Sequence, residues 1–337
     1  MQIIGEFRRA DGFGHGLPHF LEHGGTRLPV VDAGRESDDL LDWIGSHITG
    51  LRELITRHGA VRITGPRGPQ VTDLAAVASL LGGTSLAYTE RSTPRSRVSE
   101  SVYTSTEYPA EEHIPQHNES SYSATWPDHL FFLSVVPADE GGATPVADSR
   151  VIRQNISPDL LERFTRLGVR YTRAYHEGIG LSWQEAFQAT NRAEVDGYCR
   201  EHGIDAEWEG DLLRTSQRRP AVLDHPVTGE TVWFNQAHLF HVSALPKETA
   251  AALLGLFEAR DLPRNATYGD GTPISDADIE EINDAFGRSC VAAPWERGEV
   301  MVLDNVLASH GRLPYRGERK TLVTMTAADW RDWARSA

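Results

Sequence analysis

His117-Asn118-Glu119 sets an imidazole and a carboxylate two residues apart. In an extended segment residues i and i+2 point to the same side, so the two groups can bind one metal ion. A chain with 14 histidines and 48 acidic residues yields such a triplet by chance, so on its own it reads equally well as a surface pair. Its surroundings strengthen it. Ile114-Pro115 enters it as a rigid segment and the apolar run His129–Val136 follows, which puts it at the edge of the core, where ligand sites form. A third ligand should come from a distant strand. His310 lies in a short polar stretch after the apolar residues 301–303 and Asp304-Asn305, although a lone histidine there could equally hydrogen-bond a turn. Two neutral imidazoles and one carboxylate leave Fe(II) three open positions on one face, which suits a bidentate keto acid plus dioxygen. Zinc would more often be tetrahedral with one open site.

The far carboxylate of a keto diacid needs a cation with fork geometry, and arginine supplies it. Arg319, which opens the strand expected over residues 320–325, can be turned back toward the metal; Arg312, Arg316 and Lys320 are its rivals. Thr144 in Gly141-Gly142-Ala143-Thr144 offers a hydroxyl where paired glycines permit close backbone approach, and it also reads as an ordinary strand threonine.

These residues need a scaffold. Residues 37–59 carry apolar side chains with a 3.6-residue period, and residues 72–81 resemble a second helix, with a short strand at 60–65 between them. His129–Val136 closes at Pro137 and a Gly-Gly turn before residues 143–147 resume extended, which predicts two adjacent buried strands. Residues 149–205 read as a helical insertion, with Ser157-Pro158 as a helix start and Ser182 to Glu185 as a capping box. Strands return at 221–223 and 231–234, helices at 246–260 and 275–286, and closing strands at 299–303 and 320–325. Strands not regularly alternated with helices predict a mostly antiparallel core in a single domain over residues 1–337, with a mixed lead-in over residues 1–90.

The net charge of −15 repels phosphate backbones and anionic lipid, so neither nucleic acid nor membrane is an expected partner. No apolar run nears the roughly 20 residues that span a bilayer, and residues 1–9 lack a secretion signal's apolar stretch, which points to a cytoplasmic enzyme. Cys199 and Cys290 are isolated and read as buried thiols. Trp126, Trp183, Trp208, Trp233 and Trp295 read as packing, while Arg91, Arg95 and Arg97 could meet a substrate carboxylate or a carrier protein, or be solvated.

The strings Tyr103-Thr-Ser-Thr-Glu-Tyr-Pro109, His117-Asn-Glu-Ser-Ser-Tyr122, Gly141-Gly-Ala-Thr144, His225-Pro-Val-Thr-Gly229, Trp233-Phe-Asn-Gln236, Tyr268-Gly-Asp-Gly271 and Asp304-Asn-Val-Leu-Ala-Ser-His-Gly-Arg312 resemble the TauD/TfdA superfamily, nearest its SyrP-like and clavaminate-synthase-like branch. The resemblance implies a double-stranded β-helix (jelly-roll, cupin-like) core over about residues 90–325 with helical additions. It also implies Fe(II) held by His117, Glu119 and His310, and 2-oxoglutarate contacts at Thr144 and Arg319. Many members have aspartate where Glu119 stands, and glutamate is typical of this branch. Phe234, Asn235 and Tyr122 become pocket-lining candidates on family position alone. The implied reaction consumes O2 and 2-oxoglutarate, releases succinate and CO2, and hydroxylates a C–H bond, with desaturation or epoxidation as variants. Because Glu119 stands where halogenating relatives have Gly or Ala, no chloride site is implied. SyrP-like relatives imply an amino acid or amino-acid-derived substrate in specialised metabolism, such as antibiotic biosynthesis, either free or tethered to an acyl or peptidyl carrier protein. The competing readings are a zinc hydrolase and a non-catalytic binding module on the same fold. The first lacks an obvious extra ligand or general base paired with the triad and gives Arg319 no role, and the second would usually have lost a metal ligand, whereas all three positions are filled.

Overall fold

The computed structural model describes residues 6–9, 18–34, 40–65, 71–86, 90, 102–104 and 108–328; Arg91, Arg95 and Arg97 lie outside them. Two sheets form the core. The larger runs, edge to edge, through Glu6–Arg9, His19–His23, Thr26–Asp32, Ala60–Thr64, Val300–Asp304, His129–Val136, Lys320–Ala327 and Thr84–Ser85, with Val102–Thr104 also paired to Lys320–Ala327. The smaller holds Cys290–Val291, Val146–Asp148, Ala308–Arg312 and Ile114–His117 in that order. Pairing is antiparallel except between Thr26–Asp32 and Ala60–Thr64, which are joined by the helix Leu40–His58 as a crossover.

The continuous apolar character of His129–Val136 follows from burial on both faces. Leu130 and Phe132 pack with Met301, Leu303, Val323 and Met325 between the sheets. Phe131 and Leu133 pack outward against Ile44, Leu51 and Ile55 of the Leu40–His58 helix and Leu74, Val77 and Leu81 of Val71–Gly82. Gly59 ends the first helix with φ +76°, and a Cβ there would press on the Leu307 backbone.

Several sequence expectations are corrected. The strands over 129–136 and 143–147 are not neighbours, because the Gly-Gly turn carries the chain from the large sheet to the small one. The region 149–205 is not wholly helical. It contains the strand Val169–Tyr175, which builds a separate antiparallel sheet with Asp205–Glu209, Leu212–Arg219 and Asn265–Tyr268. Arg170 and Arg173, three residues apart and so on opposite faces of the strand, obscure the two-residue period there. The strands expected near 221 and 231 are present and pair with each other across the turn at 225–229, Val222–Asp224 with Thr231–Trp233. The excursion leaves the small sheet at Asp148 and returns at Cys290, and Ala147 pairs directly with Cys290. The capping box at Ser182 and Glu185 is present, and among the described residues no helix is long and apolar enough to cross a membrane.

Candidate metal centre

His310 does not sit in a polar loop but in the strand Ala308–Arg312, all of whose residues are buried. It stands directly across from His117, the last residue of Ile114–His117. Cross-strand neighbours share a face, and the two imidazole rings lie 4.6 Å apart. Phe132 of the large sheet packs 5.2 Å from the His310 ring, so this face looks into the space between the sheets. Glu119 lies just beyond the strand, in a turn continued by Ser120 at φ +55°. Its Oε2 is 3.7 Å from His310 Nε2 and 4.0 Å from His117 Nε2. The three donor atoms lie within 4.8 Å of one another, a spread that one ion can bridge with small side-chain movements.

Two observations test whether the donors fit a metal. The Nδ1 of His117 lies 2.8 Å from the Pro115 carbonyl oxygen; a carbonyl only accepts, so Nδ1 carries the proton and Nε2 presents its lone pair. The second is the hold on Glu119. Asn305 Oδ1 accepts from the Glu119 amide at 2.7 Å and Asn305 Nδ2 donates to the Glu119 carbonyl at 2.9 Å. The neighbouring Asn118 donates to the Asn305 carbonyl at 2.7 Å, and its own carbonyl accepts from Gln236 Nε2 at 2.7 Å. Asp304 fixes the turn that carries Asn305, accepting from the amides of Val306 and Leu307 and lying 2.9 Å from His225 Nε2. Desolvation alone would raise its pKa, yet these bonds and the facing histidines hold it below the usual carboxylate range. The clamp by Asn305 was not read from the sequence, although the Asp304-Asn305 pair was its visible trace.

Thr144 lies two residues before Val146, which pairs with His310, so it shares the metal-facing side one pleat along. Its hydroxyl accepts from the Trp295 indole at 3.0 Å. Arg62 stacks over that indole at 5.0 Å and is ion-paired with buried Glu299. Arg319 Nε donates to the Gly142 carbonyl at 3.0 Å, which brings the guanidinium to the same segment as Thr144. Gly142 has φ +67°, and a Cβ there would lie 3.0 Å from Arg319 Cδ, so the paired glycines do allow a close approach. Desolvation, reinforced by Arg312, lowers the Arg319 pKa to about 10. The rivals are otherwise placed. Arg312 donates to the carbonyls of Tyr108, Glu112 and Pro109, while Arg316 and Lys320 are exposed.

Of the pocket-lining candidates, Phe234 packs against Trp126, Asn235 donates to the Ala221 carbonyl, and Tyr122 packs against Phe240. Trp233 is buried against Phe164, and Trp183 meets Trp208 edge-on, as packing predicts. Both cysteines are buried. A cavity of about 830 Å³, lined by Gln116, Ala143, Pro145, Phe286 and Cys290 among others, opens on the other face of the small sheet, so it is not the chamber of these donors.

The family model for the taurine catabolism dioxygenase TauD, TfdA family matches residues 26–326. The dapdiamide synthesis protein DdaC of Enterobacter agglomerans is 38% identical over 306 residues, 90% of this chain and 92% of that protein. A clavaminate synthase-like protein of Arabidopsis thaliana is 28% identical over 287 residues, 82% of this chain and 83% of its counterpart. Among solved structures, PvcB, an Fe, alpha-ketoglutarate dependent oxygenase from an isonitrile synthetic pathway, is similar with a TM-score of 0.54 at 14% identity over 96% of each chain. PvcB of Pseudomonas aeruginosa gives 0.53 at 13% identity over 96% of this chain and 92% of that one. At such identity these two show the fold, the jelly-roll with helical additions. The chain belongs to the TauD/TfdA family of dioxygenases, and it is an oxygenase that depends on Fe(II) and 2-oxoglutarate and acts on a small molecule.

Proposed function

We propose that His117, Glu119 and His310 hold the Fe(II), that Arg319 and Thr144 seat 2-oxoglutarate, and that the enzyme hydroxylates an unactivated C–H bond of an amino acid or amino-acid-derived compound. The observation that carries this is the convergence of two imidazoles and one carboxylate on the inner face of the small sheet. With its co-substrate and O2 bound, the metal supplies the oxidation, with release of succinate and CO2. The chain supplies the rest. His117 is fixed in one tautomer by Pro115, Glu119 is held by Asn305, and Phe132 lines His310 with apolar surface that excludes water. Arg319 offers a desolvated guanidinium, which binds a carboxylate more strongly than one in water.

A role in specialised metabolism agrees with the 38% identity to a dapdiamide synthesis protein. A single catalytic domain in the cytoplasm fits the same reading. The substrate is free rather than carried, because a net charge of −15 opposes docking of acidic carrier domains. Anaerobic addition of Fe(II) and 2-oxoglutarate should produce a weak visible charge-transfer band; a chain that binds zinc alone gives none, which would sink the proposal. Matched free and carrier-loaded amino acids are then offered aerobically. A mass gain of 16 on the free form with release of succinate is expected. Turnover confined to the loaded form would overturn the free substrate, and a chlorinated product would overturn the role of Glu119.

A further inference from the structure

The inserted sheet holds a juxtaposition that the metal centre does not use. Val169–Tyr175 runs antiparallel to Asn265–Tyr268, and the ladder ends with Thr172 opposite Asn265. The next residue of each chain, just past the end of the ladder, is an arginine, Arg173 on one and Arg264 on the other, and the two are close enough to repel. Like charges directly across a ladder destabilise it, and here both are recessed: Arg173 is 8% exposed and Arg264 only partly exposed. Arg173 lies over the Tyr175 ring at 4.9 Å. Arg264 donates no hydrogen bond and joins no ion pair among the described residues. Desolvation, and then repulsion from Arg173, pull its pKa down against the nearby Tyr108 phenol. Other arginines of the insertion are treated differently. Arg163 pairs with Asp278, Arg192 with Asp211, and Arg214 with Glu209 and Asp261. Arg170, Arg218 and Arg219 of the same sheet have no ion pair among the described residues either, but they donate to the backbone carbonyls of Gly269, Leu167 and His202, so Arg264 differs in having neither kind of partner there.

Contacts also link the neighbours of the pair to the segments that carry the metal donors. Arg173 shares its face of the strand with Tyr171, two residues before it. The Tyr171 ring meets that of Tyr122, three residues past Glu119, at 6.3 Å, and its hydroxyl accepts from the amide of Gln236, whose side chain holds the Asn118 carbonyl. Tyr108, beside Arg264, gives its carbonyl to Arg312, two residues past His310. Chains of contact therefore run from Tyr171 and Tyr108, the neighbours of the pair, to both segments that carry metal donors.

We infer that Arg173 and Arg264 together seat a free carboxylate of the substrate, holding it while a C–H bond is presented to the metal. This deepens the proposed function and rests on it for the substrate class. Guanidinium forks match the planar carboxylate, and an anion between them converts a repulsion into two charge-assisted contacts. A carrier-tethered aminoacyl group has its carboxyl tied up as a thioester and would leave the pair unused.

The test uses the full chain, held anaerobically with Fe(II) and saturating 2-oxoglutarate so that the Arg319 region is filled. Thermal midpoints are read with N-acetyl-L-alanine, its amide N-acetyl-L-alaninamide, and methyl phosphate at matched ionic strength. The acid should raise the midpoint and the amide should not. Arg264→Gln should lose the response to the acid while having a higher midpoint than wild type without ligand, because the repulsion is relieved. Arg264→Lys, which keeps the charge without the fork, should retain only a reduced response and covers the case in which the glutamine variant fails to fold. Equal responses to acid and amide, or an Arg264→Gln variant that responds like wild type, would overturn the inference. A larger response to methyl phosphate than to the acid would assign the pair to a phosphate and overturn it too. The visible charge-transfer band separates the two claims: its absence in wild type counts against the proposed function, whereas a normal band with no acid response counts against the arginine pair alone.

Discussion

Around Glu119, Asn305 bonds both sides of the peptide backbone, Asp304 fixes the turn behind Asn305, and Gln236 holds Asn118. Just outside the inserted sheet, Arg264 is repelled by Arg173 and joins no ion pair among the described residues. One region spends its polar groups on one another and so fixes the metal donors before any ion arrives. The other sets two guanidinium groups close enough to repel, a cost in stability that the carboxylate inferred above would offset. The contrast teaches how differently one fold treats its polar groups: the turn that carries Glu119 is held by side-chain amides on its backbone, whereas Arg264 is set beside a like charge.

The largest effects should come from the satisfied region. His117→Ala, Glu119→Ala and His310→Ala should each abolish substrate oxidation and Fe(II) binding, while circular dichroism stays that of wild type, because each removes a donor but little core volume. Near-normal turnover in any one of them would remove that residue from the ligand set. Next in size is the co-substrate anchor. Arg319→Ala should weaken 2-oxoglutarate binding by about 2–5 kcal/mol, as truncating a buried charge-assisted partner does. Arg312→Ala should leave 2-oxoglutarate affinity nearly unchanged and lower the thermal midpoint, since its donors go to the carbonyls of Tyr108, Glu112 and Pro109. A reversed order in the two titrations would move the anchor to Arg312.

A smaller loss tests the clamp itself. Asn305→Ala should cost about 10–100-fold in Fe(II) affinity, the range found when a residue that orients a ligand is removed. Asn305→Asp should recover little, because a carboxylate cannot donate to the Glu119 carbonyl. An unchanged Fe(II) titration for Asn305→Ala would show that Glu119 needs no such support and would blunt the contrast between the two regions.

The same contrast explains what could be read from the chain beforehand. The metal donors were legible not from their types, which chance supplies, but because they lie beside strongly apolar strands, Val300–Asp304 and His129–Val136. The placement of Glu119 was reached by an argument only half right: the strand ends at His117, and the turn rather than the pleat presents the carboxylate. The inserted sheet was not legible. Leu212–Arg219 carries Arg214, Arg218 and Arg219, whose charged heads read as loop or helix surface, while Leu213, Thr215 and Gln217 on its buried face are only partly apolar. Where substrate-facing polarity replaces apolar alternation, the period that announces a strand is lost. The juxtaposition of Arg173 and Arg264 depends on register, which a single sequence does not fix.

The smallest predicted effect distinguishes the regions by their response to acid. His129 lies wholly buried in the large sheet, and desolvation, aided by His225 and Arg52 against the pull of Asp304, lowers its pKa to about 4. His238 lies on the short helix Ala237–Phe240 of the insertion, with Nε2 2.9 Å from the carbonyl of Gln116 on the strand that ends at His117. Desolvation lowers its pKa to about 4 as well, against that hydrogen bond. An unfolded histidine takes up its proton near pH 6.5. The unfolded chain therefore binds more protons than the folded one between about 6.5 and 4, and stability falls as the pH is lowered through that window. Each histidine should contribute a slope of about 1.4 kcal/mol per pH unit there. Chemical denaturation at stepped pH measures it, and His129→Gln and His238→Gln should each flatten the slope by one proton's worth, whereas a slope untouched by both would assign the acid loss to other groups. The locations should differ too. Protonating His129 strikes between the large-sheet strands and should open the whole core, while protonating His238 strikes the seam between insertion and small sheet. Amide hydrogen exchange at pH 5 should therefore show Ala237–Phe240 and Asn265–Tyr268 losing protection before Val300–Asp304 does. Simultaneous loss would mean that the seam is as firmly held as the core.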